Sequence, residues 1–290
     1  MSIYGGWNVT LWSGGSPGNP SANIGIVTRP DPVFDPSIIS VDGTGRRGLY
    51  DIVLGVRDPR LTVEWAPAYL SSSLTPVSDA TSFIRSFQAG AEIAALHYLL
   101  AKGPAAVGLT FANCRIDRLA VSCRAGDILR CTAEILAKSV ALADASCPWG
   151  GSELTKALAW HYLDVLVAPK STPTTPVENT KWHEWTYEVR NNIERLINVN
   201  DKTTRSLEIR SRRVTGSLTW DFDSLTEYSD MVGVDASKLF ALQVKDSDGN
   251  YLLGASGYAN AQWGRLEAPV GPEDLKLKRF PFTSLHLTPE

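Results

Sequence analysis

The sequence predicts a mainly β protein with minor α, organised as two related β-rich units in tandem. Three observations carry this expectation. Short runs that alternate apolar and polar side chains recur along the whole chain. Leu61-Thr62-Val63-Glu64-Trp65 returns 157 positions later as Leu218-Thr219-Trp220-Asp221-Phe222, and Asp51-Ile52 returns at the same offset as Glu208-Ile209. At 290 residues the chain sits where a single hydrophobic core stops growing and divides.

Residues 1–48 are rich in Gly, Pro, Ser and Asn. Within them Trp7 to Trp12 alternates and reads as a strand, Ser13 to Pro20 as a loop, and Gly25 to Val27 and Ile38 to Val41 as short strands. So long a loop-rich stretch suits an arm or an intersubunit loop. Leu49 to Val56 and Leu61 to Trp65 then read as a hairpin turning at Arg57-Asp58-Pro59-Arg60, since Asp-Pro favours turns. In its second strand Leu61, Val63 and Trp65 face a core, and Thr62 and Glu64 face water. Ala66 to Ser78 is a loop. Phe83, Phe87, Ala91, Ala94 and Tyr98 recur at helical spacing, weakened by Gly90 and ended by Gly103-Pro104. Strands follow at Val107 to Phe111, Ile116 to Cys123 and Ile128 to Leu136, with Ala125-Gly126-Asp127 as the turn between the last two.

Ala143 to Ser152 marks the boundary between units 1–147 and 148–290. A strand near Trp160 to Val167 and a polar loop from Pro169 to Pro176 lead into a strand at Trp182 to Ile193. Leu207 to Ile209 and Val214 to Phe222 form the repeated hairpin. Ser224-Leu225-Thr226-Glu227 is a capping box opening a short helix with Leu225, Tyr228, Met231 and Val232, ended by Gly233. Strands return at Leu239 to Val244, Tyr251 to Tyr258 and Leu275 to Leu287. Both units thus read as hairpin, helix, three strands.

A net charge of −3 argues against gripping nucleic acid through a basic face. No basic region precedes an apolar run at the N-terminus, and no stretch reaches the about 18 apolar residues of a membrane span. A soluble product made in the cytoplasm is expected. Cys114, Cys123, Cys131 and Cys147 lack metal-binding spacing, and Cys123 and Cys131 fall on the apolar phase of strands, although pairing stays open. His97, His161, His183 and His286 have no partner at a ligating spacing. Asp246 to Asn250 lacks the closing Glu of a calcium loop and reads as a polar turn. Arg46-Arg47 and Arg210 with Arg212-Arg213 read as solvated strand ends or interface partners rather than phosphate sites. Trp65, Trp185 and Trp220 read as core, whereas Trp7, Trp12, Trp149 and Trp263 sit nearer loops and are candidate interface anchors. No nucleophile, phosphate or dinucleotide motif is present, so neither enzyme activity nor a cofactor or metal is expected.

Three stretches resemble those of tailed-virus tail tube proteins, between roughly Phe83 and Asp230. They are Leu109 to Leu119, Glu188-Val189-Arg190-Asn191-Asn192-Ile193-Glu194, and Arg213-Val214-Thr215-Gly216-Ser217-Leu218-Thr219. The resemblance implies tandem tube-type β-sandwich or half-barrel domains, each flanked by a helix. It also implies rings that stack into a hollow conduit for DNA ejection. A two-copy chain would close a six-fold-like ring from three subunits, with a hexamer as the alternative. The implied place is the virion tail, assembled in the host cytoplasm, with tape measure, terminator and distal tail proteins as further partners. DNA would pass without specific binding, past a lumen for which Asp51, Glu64, Glu188, Glu208 and Asp221 are the wet-phase candidates. Ser13 to Pro20, Ala66 to Ser78 and Lys170 to Glu178 would lock rings together. Alternatives are a distal tail or terminator ring, or a carbohydrate- or cell-surface-binding β module motivated by the tryptophans.

Overall fold

The alternating segments become paired strands. A computed structural model describes residues 9–16, 19–23, 26–33, 36–42, 49–70, 90–100, 107–144, 154–169, 177–178, 180–198, 203–221, 239–246, 251–253, 259–263 and 277–286. Among them the protein is nearly all antiparallel β-strand, and the one helical element is a 3₁₀ turn at Trp160–Tyr162.

The first strands are β1 (Val9–Ser16), β2 (Asn19–Asn23), β3 (Ile26–Val33), β4 (Pro36–Asp42), β5 (Leu49–Arg57), β6 (Arg60–Ala66) and β7 (Ala68–Leu70). They are followed by β8 (Ile93–Leu100), β9 (Val107–Arg124), β10 (Arg130–Leu136), β11 (Ser139–Asp144) and β12 (Leu154–Ala157). Then come β13 (Leu163–Pro169), β14 (Val177–Glu178), β15 (Trp182–Arg190), β16 (Ile193–Ile197), β17 (Thr204–Ile209) and β18 (Arg213–Asp221). The last are β19 (Leu239–Asp246), β20 (Tyr251–Leu253), β21 (Ala259–Trp263) and β22 (Leu277–His286).

The core lies on one face of the central sheet because the side-chain period is two. Trp65, Cys131, Val121 and Tyr187 follow one another in register across β6, β10, β9 and β15, and all are buried. Leu61, Val63, Leu119, Ala133, Val189 and Val214 fill neighbouring rows of that face. The expected core places of Trp65, Trp185 and Trp220 are found, and so are those of Cys123 and Cys131. Trp185 and Tyr187 stack with ring centroids 5.9 Å apart.

Tertiary pairing overrides several expectations from periodicity. Ile93–Leu100, the second half of the expected helix, is strand β8, held between β1 and β9 by a ladder on each side. Gly90 has φ +70, which a right-handed helix cannot use, and Ala91 and Ala94 are exposed rather than on a buried helical face. Its first half, and the whole of the expected helix at 224–233, lie outside the described residues. The expected hairpins are also corrected. β5 pairs with β4, whereas β6 pairs with β3 and β10. In parallel fashion β17 pairs with β16, whereas β18 pairs with β15 and β22. The strands expected at 107–111 and 116–123 are one strand of 18 residues, β9, in which Asn113 bends the backbone at φ 51. The turn at Ala125-Gly126-Asp127 is present, with Gly126 at φ +88.

β9 unites the sheet. Its first half pairs with β8 and β11, and its second half with β15 and β10. β10 runs on into β11 along one edge, so β15 occupies along the far half the edge that β8 occupies along the near half. The pairing order of the first half of the chain is β2-β1-β8-β9-β10-β6-β3, and that of the second half is β14-β13-β19-β21-β22-β18-β15.

The registers follow suit. Val27 opposite Trp65 corresponds to Trp182 opposite Trp220, and Arg29 opposite Glu64 to Glu184 opposite Thr219, a shift of 155 on both strands. The bulge between the two pairs is the same. The hairpins agree, since Ile38 opposite Leu54 corresponds to Ile193 opposite Ile209. For the later strands the shift is 147: Ile116 opposite Ile135 corresponds to Trp263 opposite Phe282. At that shift Phe111-Ala112-Asn113-Cys114-Arg115-Ile116-Asp117-Arg118-Leu119 aligns with Tyr258-Ala259-Asn260-Ala261-Gln262-Trp263-Gly264-Arg265-Leu266.

Candidate functional surface: a mixed polar sheet face and its junction

The face opposite the core carries alternating charge and hydroxyl groups across six strands. In one row Thr62, Glu134, Arg118, Arg190 and Arg213 are successive neighbours on β6, β10, β9, β15 and β18. The next row runs Glu64, Thr132, Ala120, Glu188, Thr215 and, on β22, Thr283. Beyond it lie Ser122, Thr186 and Ser217, with Thr186 and Ser217 hydroxyls 2.9 Å apart.

Two of its arginines, Arg118 and Arg190, are engaged by carboxylates. Arg118 donates from Nη1 to Glu134 at 2.9 Å and from Nη2 to Glu188 at 2.7 Å, tying β10, β9 and β15 together. Arg190 also pairs with Glu188. Burial alone would raise the Glu188 carboxyl, but the hydrogen bonds from Arg118 and Arg190 outweigh it and hold its pKa below the ordinary value. At the turn, the Ile128 N–H and Arg130 lower Asp127 in the same sense. The surface is therefore mixed rather than basic, and a passing phosphate would compete with carboxylates already in place.

Of the five wet-phase candidates, Glu64 and Glu188 lie in one row of this face. Asp221 ends β18, where His183 Nε2 meets its carboxylate at 3.1 Å. Glu208 is exposed on the β16–β17 hairpin, opposite Glu194, and Asp51 lies on the β4–β5 hairpin opposite Val41. Both hairpins are two-stranded sheets apart from the main one, because β5 and β17 do not pair with β6 and β18. Of the tryptophan anchors, Trp12 sits on β1 opposite His97, and Trp263 on β21 opposite Phe282. Trp7 and Trp149 lie outside the described residues.

The sequence reading missed the reason for its own motif at Asn191-Asn192. Asn191 is fully buried; its Nδ2 donates to the Ile116 carbonyl at 2.8 Å, and its Oδ1 accepts from Arg212 Nε at 2.9 Å. Asn192 adopts φ 44, and its amide donates to the Ser211 carbonyl. Asp117, at a bulge in β9, accepts the Ile193 N–H at 2.7 Å. These contacts pin the β16–β17 hairpin to β9. Arg195, half-buried so that desolvation lowers its pKa, joins the same hairpin to Asp58. The exposed aromatic turn at Trp160 was also missed, because it begins a segment read as strand.

Among the described residues no group of three or more His, Cys, Asp or Glu side chains converges to hold a metal, and no helix is long and apolar enough to cross a membrane. Compared with known proteins, the chain matches no family model and no curated protein.

Proposed function

We propose that this chain is a structural subunit of a viral tail tube, two tube-type units in one polypeptide, that assembles with copies of itself into stacked rings around a channel for DNA. The observation that carries the reading is the recurrence of one pairing order in both halves of the chain, with corresponding registers and the same bulge on β3 and β15. A sevenfold coincidence of strand order, with hairpin and bulge in step, is what duplication of one unit produces. On this reading the units divide at 147/148, between β11 and β12.

Two further points favour a scaffold over an enzyme or a glycan-binding module. The residues that resemble tail tube motifs are used for architecture: Asn191 and Asn192 fix a hairpin corner, and Gly216 makes room for Phe282. The broad polar face pairs Arg118 and Arg190 with carboxylates, as suits a surface past which DNA slides. On this reading Glu64, Glu188 and Asp221 line the channel, and Asp51 and Glu208 are carried on hairpins beside it. Three chains, each bringing two units, complete a six-fold-like ring.

Negative-stain electron microscopy of the concentrated full chain tests this. Rings of three chains that stack into tubes are expected. A single closed ring that never stacks would point instead to a distal tail or terminator protein. A dispersed monomer at every concentration and salt condition would overturn the proposal.

A further inference from the structure

Within the molecule, the outer edge of β15 is filled by β9. The Ala125 N–H donates to the His183 carbonyl at 2.7 Å, and the Asn191 N–H donates to the Asp117 carbonyl at 2.7 Å. Strand parity then directs the backbone groups of Trp185, Tyr187 and Val189 toward β9, and those of Glu184, Thr186 and Glu188 toward β18.

β3 is the counterpart of β15, pairing with β6 as β15 pairs with β18, through the same bulge. At the shift of 155, Pro30 stands where Trp185 stands and Pro32 where Tyr187 stands. Among the described strands β3 ends the sheet, and Thr28 and Asp31 on it are exposed.

We infer that Pro30 and Pro32 are stops that keep a second copy of this chain from docking on β3 in the way that β9 docks on β15. A proline has no N–H, so positions 30 and 32 can offer an incoming strand only carbonyl oxygens. The same parity makes the two prolines harmless to β3 itself, because the backbone there points away from β6. Proline is confined to such edge positions for this reason. A second copy is the occupant at issue because the strand that fits such an edge is present in every chain, and β9 on β15 is the fit realised. Two units of like topology, joined in one sheet by an open-ended contact, would otherwise continue from molecule to molecule. The inference rests on the strand registers alone and stands whether or not the chain builds a tube. If it does, contacts between chains are made elsewhere than along a β3 ladder.

The test is the full chain carrying Pro30→Val and Pro32→Thr together, compared with the parent by sedimentation velocity over a concentration series. Restoring two donors should bring self-association in at a concentration roughly tenfold to hundredfold lower, with hydrogen exchange slowed at the restored amides on association. If the double variant misfolds, Pro32→Thr alone decides, with a smaller shift in the same direction. An unchanged association profile in a variant whose β3–β6 amides remain protected would overturn the inference. So would cross-linking of the parent chain that places a second copy along β3. Ring or tube formation by the parent through other surfaces leaves it intact.

Discussion

Replacing Gly216 by Ala gives opposite signs depending on whether the sheet is registered as described. Gly216 lies on β18 between Tyr187 of β15 and Phe282 of β22. A Cβ there would run into the Phe282 ring and the Thr186 carbonyl oxygen. Its φ is not in the left-handed region, so no conformational demand calls for Gly. In an unobstructed strand, Gly→Ala stabilises by about 0.5–1 kcal/mol because the unfolded chain loses less freedom. Here one methyl group must enter a site in which Phe282 is 4% exposed. Overpacking of that kind costs about 1–3 kcal/mol. The obstruction is partly backbone, so relaxation is incomplete and a net loss of about 1–2 kcal/mol is expected. Urea unfolding of Gly216→Ala, Phe282→Leu and the double variant measures it. The double variant should be more stable than the sum of the singles by about 0.5–1 kcal/mol, since the smaller side chain relieves part of the conflict. A neutral or stabilising Gly216→Ala, with no coupling to Phe282, would show that β18 and β22 are not paired in this register. The correspondence between the two halves would then lose one of its joints.

Two further outcomes follow from the polar face and the core. Glu188 has its folded pKa below its ordinary value of 4.5, so the stability it brings is present above about that pH and is lost as pH falls through the folded value. The stability gap between the parent and Glu188→Gln, followed by urea unfolding between pH 3 and 7 (roughly the span in which carboxylates titrate), should close toward the acid end. A gap that does not change with pH would refute this. Burial pushes the thiols of Cys114 and Cys123 up to about 12, and that of Cys131 well above its ordinary value. In a Cys147→Ser background these three should resist iodoacetamide in the folded chain and react in urea; rapid labelling without denaturant would contradict their burial.

Much of the strand content was legible in the residues because a period of two is written locally. Leu61, Val63 and Trp65 announce a buried face in any arrangement that pairs β6, and the structure buries them. Cys123, Cys131, Trp185 and Trp220 were readable on the same grounds. The correspondence of strand registers between the two halves was visible only faintly, through Leu61 to Trp65 and its later echo. The match at 157 lies two residues from the shift of 155 that the registers give, which keeps every side chain on the same face. A single offset could not find the better match between Phe111–Leu119 and Tyr258–Leu266, because the later strands have a shift of 147.

What no local signal held was the choice of partners. Ile93–Leu100 carries Ala and Leu at spacings a helix would use, and it became a strand because β1 and β9 offered it a ladder on both edges. β5 and β6 are joined by a turn sequence yet go to different sheets, as β17 and β18 do. The sequence alone determined which faces are dry, since burial of apolar area is scored residue by residue. The tertiary structure decided which edges meet. Hydrogen bonds between strands are made by backbone groups that nearly every residue possesses, so few residues announce in the sequence which partner they will take, and strand prolines such as Pro30 and Pro32 are among the exceptions.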